Sequence, residues 1–191
     1  QAVEPLSGPT CSAVVALAAR YAIDIIAGFL EEADGGDYNS ALVARRDGSG
    51  EVERKHKLTE IERKAGLEPG PAHRQIFTFN GVKTAIIICA DGAIESLHDN
   101  LLDQGVQYRF CPTGGGGKMS EMIREADLQN EKGRQAYLKN LPCVFNADGI
   151  VNREDARVGF TSANALGPVG AETCHQGHCM IVDNNFVMRA Q

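Results

Sequence analysis

The sequence lacks several features that would place a chain in a broad class at once. It has no run of about 18 apolar residues, so it predicts no membrane-spanning helix. Acidic residues outnumber basic ones and the net charge is -6 at pH 7, which argues against a nucleic-acid-binding surface. Residues 1–5 contain neither an initiator methionine nor the basic region of a signal peptide, and resemble the interior of a longer chain. We therefore expect a protein that binds neither membrane nor nucleic acid.

A disulfide framework is also missing. The chain has six cysteines in 191 residues, spread singly through apolar segments. They are Cys11, Cys89, Cys111, Cys143, Cys174 and Cys179. Isolated thiols of this kind suit a reducing compartment, so the sequence predicts a cytoplasmic location.

Length and composition fit one globular domain with a substantial core. The chain is 43% hydrophobic and 23% charged, both ordinary values. We predict a single domain over residues 1–191. Strand-like apolar runs alternate with helical spacing, and several runs are joined by tight turns. This pattern predicts an α/β layered fold with a mixed sheet.

The individual elements follow from turn residues and periodicity. We predict strands at 23–29, 38–44, 51–55, 75–79, 82–88, 106–111, 142–146, 179–182 and 186–188. Helices are predicted from an N-cap at Thr10, after Cys89, and over residues 120–139. Residues 59–74 and 152–176 are predicted to be loops.

The most informative stretch ends in Cys89. An Asn-Gly turn at residues 80–81 opens a nearly unbroken apolar run, and Asp91-Gly92 breaks the pattern directly after the cysteine. Such a run is typical of a strand buried on both faces. A thiol at a strand-to-helix turn lies near helix N–H groups that favour a thiolate. The alternative is a small core residue, since free cysteines are often buried.

Two other motifs resemble known binding motifs but depart from the residue patterns that those motifs require. The run of glycines at 114–117, followed by Lys118, lacks the first glycine and the Ser or Thr that a phosphate-binding loop needs. It is more simply a flexible loop after a strand. The Cys-His-Gln-Gly-His-Cys run at 174–179 is rich in zinc-ligating residue types, but its spacing fits no standard ligand pair. We expect neither a cofactor nor a metal.

Lys55 lies at the end of a predicted strand, in a run of basic residues. Taken alone, such a run is usually solvated. Glu31 and Cys89 also end predicted strands. A thiol, an ammonium and a carboxylate at strand ends together supply a nucleophile, a charge stabiliser and a proton acceptor.

The ordered set of motifs resembles the nitrilase (carbon-nitrogen hydrolase) superfamily. The matching stretches span nearly the whole chain: Glu4-Pro5, Gly8-Pro9-Thr10, Gly28-Phe29-Leu30-Glu31, Tyr38-Asn39-Ser40-Ala41, Asp47-Gly48, Arg54-Lys55, Cys89-Ala90-Asp91, Glu95, Asn140, Phe145-Asn146-Ala147-Asp148-Gly149, His175-Gln176-Gly177-His178 and Ile181-Val182-Asp183. Each piece is weak, whereas the order of the whole set is fairly specific.

The resemblance implies an αββα sandwich and hydrolysis of amide-like C–N bonds through an acyl-enzyme. By motif position Cys89 would be the nucleophile. Lys55 and the backbone N–H of Ala90 would stabilise the oxyanion, and Glu31 would match a supporting glutamate that helps to position the lysine and substrate. The resemblance further implies a homodimer or a larger homo-oligomer.

Two departures from the family pattern affect this interpretation. The general-base glutamate of the family lies upstream of the segment that matches Glu4-Pro5, and no residue of the sequence matches it. Glu4 is a possible substitute, although its neighbours match a different family segment. The chain also stops at Gln191, where the family usually continues. We therefore expect a core that is truncated at both ends.

Substrate class is indicated only by the residues after the nucleophile. Nitrile-hydrolysing branches usually carry Trp-Glu there, whereas amidase and carbamoylase branches tend to have Asp at the second position, as Asp91 is here. The resemblance thus favours a small amide or N-carbamoyl substrate. A non-catalytic binding or assembly subunit of the same fold is the alternative, because the base is not seen.

Overall fold

The computed structural model describes residues 3–114 and, beyond them, the backbone of six short strands. These strands cover residues 116–118, 159–164, 166–168, 173–176, 180–182 and 188–190. The chain divides into two compact units, Gln1–Gln75 and Ile76–Gln191. Our prediction of a single domain over 1–191 stays a prediction.

The first unit is a helix and a three-stranded antiparallel sheet. Helix α1 (Pro9–Tyr21) precedes β1 (Ile25–Ala33), β2 (Gly36–Ala44) and β3 (Gly50–Arg54), which pair in the order β1-β2-β3. A short helix, α2 (Glu60–Lys64), follows. The turn predicted at residues 47–50 connects β2 to β3, as expected for a hairpin.

Side chains alternate between the two faces of this sheet. One face packs on α1 through Leu42 and Ala44 of β2, together with Cys11 and Ala18 of the helix. Residues on the other face, Val43 among them, are buried as well. Because both faces are buried, polar side chains on either one need bonding partners within the protein.

Helix α1 begins slightly earlier than predicted. Its N-cap is Gly8 and Pro9 occupies the first turn, so the assignment of Thr10 as N-cap is wrong. The Thr10 N–H instead donates to the Glu4 carboxylate at 3.1 Å. A side chain from outside the helix thus satisfies one of the free N–H groups that a capping residue usually satisfies.

The second unit is built on a six-stranded mixed sheet. Its strands are β4 (Phe77–Phe79), β5 (Val82–Ile86), β6 (Tyr108–Thr113), β8 (Gly159–Asn164), β11 (Met180–Val182) and β12 (Met188–Ala190), in the order β12-β11-β8-β6-β5-β4. The β5–β6 and β6–β8 pairs are parallel and the others antiparallel. Helix α3 (Glu95–Asp103) connects β5 to β6 and packs on them through Leu97 and Leu101. The predicted α/β fold with a mixed sheet is confirmed.

Several local predictions hold in this unit. Asn80 and Gly81 have φ of +50° and +82° and join β4 to β5 as a hairpin. Strands β11 and β12 pair antiparallel, as expected for the last hairpin, with bounds shifted by one or two residues. The predicted helix over 120–139 and strand over 142–146 lie outside the described residues.

Three loop predictions are wrong. Residues 60–64 form α2, and Gly116–Lys118 is a strand, β7, rather than a flexible loop. The segment 152–176 contains β8, β9 (Leu166–Pro168) and β10 (Thr173–Gln176); β10 pairs with both β7 and β9. These strands are rich in small and polar residues, so their conformation depends on pairing with neighbours rather than on an apolar pattern of their own.

No helix in the described part of the chain is long and apolar enough to cross a membrane.

A buried ion pair fixes the segment that follows α2. Arg74 and Glu53 lie 3.0 Å apart and have side-chain exposures of 0% and 2%. Arg74 also donates to the carbonyl of Arg54 at 2.6 Å, and the N–H of Gln75 donates to Glu53 at 2.8 Å. The segment is thereby attached to the end of β3.

We predict that Arg74→Met lowers the free energy of unfolding by about 3–5 kcal/mol, because it leaves the Glu53 carboxylate buried without its partner charge. Urea unfolding followed by circular dichroism measures the change. Glu51→Gln is the control, because Glu51 lies on β3 two residues before Glu53. Its side chain is 44% exposed and pairs with Arg45. Such an exposed pair contributes only about 0–1 kcal/mol. Equal effects of the two changes would show that the buried pair does not stabilise the fold.

Candidate active site

Lys55 lies directly after β3 and is held there by backbone bonding. Its N–H donates to the carbonyl of Asn39 at 2.8 Å, which extends the pairing with β2 by one residue. Its side chain is only 1% exposed, and Nζ lies 2.7 Å from both carboxylate oxygens of Glu62. The solvated cluster that an isolated basic run would suggest does not apply to Lys55, because this ammonium is buried and paired.

Glu62 comes from α2, where it completes a capping box with Thr59. The Thr59 side chain accepts from the Glu62 N–H, and the Glu62 carboxylate accepts from the Thr59 N–H at 2.7 Å. The same carboxylate accepts from the Asn39 amide at 2.6 Å. Burial acts to raise the pKa of Glu62, but the bonds from Lys55, Thr59 and Asn39 outweigh it and lower the pKa to about 2. Glu62 is thus ionised at neutral pH.

Glu31, on β1, has different partners. Its carboxylate accepts from the Ser40 hydroxyl at 2.7 Å and from two nitrogens of Arg54 at 2.8 and 2.6 Å. Burial acts to raise the Glu31 pKa, but the bonds from Arg54 and Ser40 lower it below its usual range. The Arg54 guanidinium also lies 4.1 Å from the centre of the Tyr38 ring.

Glu31 and Lys55 occupy opposite faces of the β1-β2-β3 sheet. Ser40 pairs with Arg54 across the sheet, and both side chains bond Glu31. The residues adjacent to these two in sequence, Asn39 and Lys55, bear the side chains that bond Glu62. Since neighbouring residues of a strand point to opposite faces, the Glu31 cluster lies on the α1 side and the Lys55–Glu62 pair on the other.

Glu4, considered above as a substitute base, has a structural role in this unit. One carboxylate oxygen accepts from the Thr10 N–H, and the other lies 3.9 Å from the Cys11 thiol. Burial and the nearby charges of Glu4 and Glu31 raise the pKa of that thiol.

Cys89 lies at a sharp turn in the second unit. Two residues separate it from the end of β5, and it begins a 3-10 turn, Cys89–Ala93, that leads into α3. Its thiol is free and half-buried. Its φ is +48°, in the left-handed region that non-glycine residues seldom occupy. The position between a strand and a helix was predicted, but the strained backbone was not visible in the sequence.

The three predicted residues are thus distributed over two units: Glu31 and Lys55 in the first, and Cys89 in the second. The structure brings Glu31 and Lys55 to the same end of one sheet. Their grouping with Cys89 stays a prediction. Among the residues with described side chains, no group of three or more His, Cys, Asp or Glu forms a candidate metal site. The side chains of the 174–179 motif lie outside those residues.

Glu62 is the residue that the sequence reasoning missed. It fell in a segment predicted to be a loop, and its partner is seven positions away along the chain. A signal for it does exist, because Thr59-Glu60-Ile61-Glu62 has the Ser/Thr-x-x-Glu pattern of a capping box. That pattern identifies the helix start, although not the bond to Lys55.

Comparison with known proteins agrees with this architecture. The family model for carbon-nitrogen hydrolases matches residues 1–121. The Probable hydrolase YhcX of Bacillus subtilis (strain 168) is 38% identical over 99 residues, which cover 50% of this chain and 19% of YhcX. Because the family model covers more than half of the sequence, the chain belongs to the carbon-nitrogen hydrolase family.

Solved structures show the same fold at low sequence identity. XC1258 from Xanthomonas campestris, a CN-hydrolase superfamily protein with an arsenic adduct in its active site, aligns with a TM-score of 0.74 and 15% identity over 98% of this chain and 65% of its own. A mutant amidase from Nesterenkonia sp. AN1 aligns with a TM-score of 0.69 and 18% identity, over 93% of this chain and 59% of its own. That amidase carries the acetamide moiety of fluoroacetamide on its active-site cysteine. The chain spans about a fifth of the curated relative and about three fifths of these structures.

The low pKa of Glu62 predicts a pH-dependent contribution to stability. The folded-state pKa of about 2 lies below the ordinary glutamate pKa of 4.5, so the contribution is complete above pH 4.5 and is lost as the pH falls towards 2. Its full size is roughly 3 kcal/mol. We expect Glu62→Gln to be less stable than the wild type at pH 7, and the difference to shrink between pH 4.5 and 2.

Urea unfolding at a series of pH values measures this convergence. The control is Glu60→Gln, on the same helix but 73% exposed, for which we expect a small and nearly pH-independent change. A Glu62→Gln difference that stays constant from pH 7 to 2 would contradict the assignment.

Proposed function

We propose that the protein is a thiol hydrolase that cleaves a non-peptide C–N bond of an amide or N-carbamoyl compound through an acyl-enzyme on Cys89. The observation that supports this most directly is the strained backbone of Cys89 at a strand-to-helix turn. Non-glycine residues with positive φ concentrate at functional sites, since their strain must be maintained by the surrounding structure. Membership of the carbon-nitrogen hydrolase family supplies the reaction class.

The proposed reaction begins with attack of Cys89 Sγ on the carbonyl carbon, which places negative charge on the carbonyl oxygen. Lys55 Nζ and the backbone N–H of Ala90 stabilise that oxyanion. The C–N bond then breaks, the amine or ammonia leaves with a proton, and water hydrolyses the thioester. The adduct on the cysteine of the Nesterenkonia amidase supports this assignment of the nucleophile.

The structure suggests separate roles for the two glutamates. Glu62, with a pKa of about 2, is a poor proton acceptor at neutral pH, so we assign it to holding the Lys55 ammonium in place. Glu31 bonds Ser40 and Arg54, which adjoin Asn39 and Lys55 along their strands. We therefore propose that Glu31 positions Lys55 indirectly. The thiol proton passes to a carboxylate base that the family resemblance implies and that no residue of these 191 matches.

The location and assembly of the protein remain predictions from the sequence. We propose a cytoplasmic enzyme that forms a homodimer or a larger homo-oligomer and uses no nucleic acid or membrane partner.

Intact-mass spectrometry of the full-length protein tests the nucleophile. We expect short incubation with a simple aliphatic amide, or with an N-carbamoyl amino acid, to add one acyl group at Cys89. Cys89→Ala should abolish the adduct and lower kcat at least about a thousandfold. Cys111→Ala is the control, since Cys111 is a cysteine of the same unit that is buried in the core. Unchanged turnover by Cys89→Ala would contradict the proposal, and absence of any turnover or adduct would favour a non-catalytic subunit.

Steady-state kinetics test Lys55. Because Lys55→Met alone would leave Glu62 without its partner, the double variant Lys55→Met/Glu62→Gln removes both charges together. Loss of a charge that acts mainly on the oxyanion should lower kcat by about 10²–10³ and change KM little. Iodoacetamide should still alkylate Cys89 in this variant. A change confined to KM would assign Lys55 to substrate binding.

A further inference from the structure

A buried histidine connects the turn that carries Cys89 to the neighbouring strand. His98 lies on α3 and is 2% exposed. Its Nε2 is 2.9 Å from the carbonyl oxygen of Gly92, within the Cys89–Ala93 turn. Its Nδ1 is 2.6 Å from a guanidinium nitrogen of Arg109 on β6, which is 3% exposed. Three elements therefore meet at one imidazole ring.

These contacts determine where the proton of the ring lies. A guanidinium can only donate, so Nδ1 of His98 is the acceptor. The proton is then on Nε2, which donates to the carbonyl of Gly92. Burial, and after it the positive charge of Arg109, lower the His98 pKa to about 4, against the opposing effects of the Gly92 bond and Asp99. The ring is neutral at pH 7 in this tautomer.

Two backbone hydrogen bonds close the turn at its two ends. The N–H of Asp91 donates to the carbonyl of Ile88 at 3.1 Å, and the N–H of Ile94 donates to the carbonyl of Asp91 at 3.1 Å. Neither bond constrains the Gly92 carbonyl, which is bound by His98. Cys89, with φ of +48°, begins this same turn. A strained conformation persists only where surrounding contacts determine it, and the His98 bond is a contact within the same turn.

We propose that His98 is a positioning residue for Cys89, held as the neutral Nε2–H tautomer by Arg109 and fixing the nucleophile turn through the carbonyl of Gly92. This proposal rests on the proposed thiol hydrolase function. Loosening the turn would displace both the thiol and the Ala90 N–H, so it would slow acylation without removing any group that touches the substrate. An apolar side chain would fill the same volume but would leave both the Gly92 carbonyl and Arg109 without this partner.

The test compares three variants of the full-length protein. His98→Leu removes both bonds. His98→Gln retains one donor and one acceptor at the end of a side chain that reaches the same region. Leu101→Ala is the structural control, because Leu101 is a core residue of the same helix that is 2% exposed and makes no bond to the turn.

Two measurements separate positioning from general stability. The rate of Cys89 alkylation by iodoacetamide is followed against pH by peptide mass spectrometry, and kcat is measured with the aliphatic amide. We expect His98→Leu to shift the alkylation profile and to lower kcat at least tenfold. We expect the alkylation profile and kcat of His98→Gln to lie between those of His98→Leu and the wild type. We expect Leu101→Ala to lower the melting temperature and to leave the alkylation profile unchanged.

Several outcomes would overturn the proposal. One is a folded His98→Leu variant with wild-type alkylation and kcat, and another is an equal shift of both readouts in Leu101→Ala. If His98→Leu does not fold, nitrogen NMR of the wild-type imidazole decides, since protonation on Nδ1 or on both nitrogens at pH 7 contradicts the assignment. If the wild type turns over no amide, the proposed function fails, but the alkylation profiles and the tautomer still test the positioning role by themselves.

Discussion

The bond between Lys55 and Glu62 is the constraint on which the first unit depends. An ammonium that is 1% exposed has lost most of its hydration, so it must be matched by a charge with good geometry. Glu62 supplies that charge only if α2 forms, and α2 has five residues and no buried side chain of its own. Its stability therefore comes from the capping box at Thr59 and from the bonds that Glu62 makes to Lys55 and Asn39. The helix and the ion pair therefore stabilise each other.

The β1-β2-β3 sheet supports a different polar cluster on each face. On the α1 side Glu31 binds Ser40 and Arg54, and on the other face Glu62 binds Asn39 and Lys55. Each cluster joins β2 to the end of β3. The residues of one cluster are the sequence neighbours of those of the other. A displacement of β3 along β2 would therefore break both clusters at once. This arrangement defines the strand register more strictly than apolar packing alone, at the cost of burying several charges.

The sequence predicted the features that depend on neighbouring residues. Asn80-Gly81 specifies its hairpin by backbone preference, and the break after the apolar run places Cys89 at a turn. Apart from α2, whose capping box is a local pattern, the features it missed depend on contacts that no local pattern encodes. Strand β8 is rich in small and polar residues and becomes a strand by pairing with β6 and β11. Lys55 was singled out from its basic run, but its bond to Glu62 was not predicted, because Glu62 fell in a segment predicted to be a loop. Glu31 was predicted to end a strand, whereas β1 continues to Ala33. Its orientation follows from the sheet register, which the sequence did not reveal.

The two units use the same local solution to hold a residue at a strand end. Lys55 follows β3, and the next helix returns Glu62 to it from seven positions along the chain. Cys89 follows β5, and the next helix returns His98 to its turn, six positions beyond Gly92. In both cases the retaining side chain is polar and close in sequence, so forming the contact closes only a short loop. A residue held in this way is positioned by its own segment, which makes its geometry less dependent on the packing of distant parts of the chain.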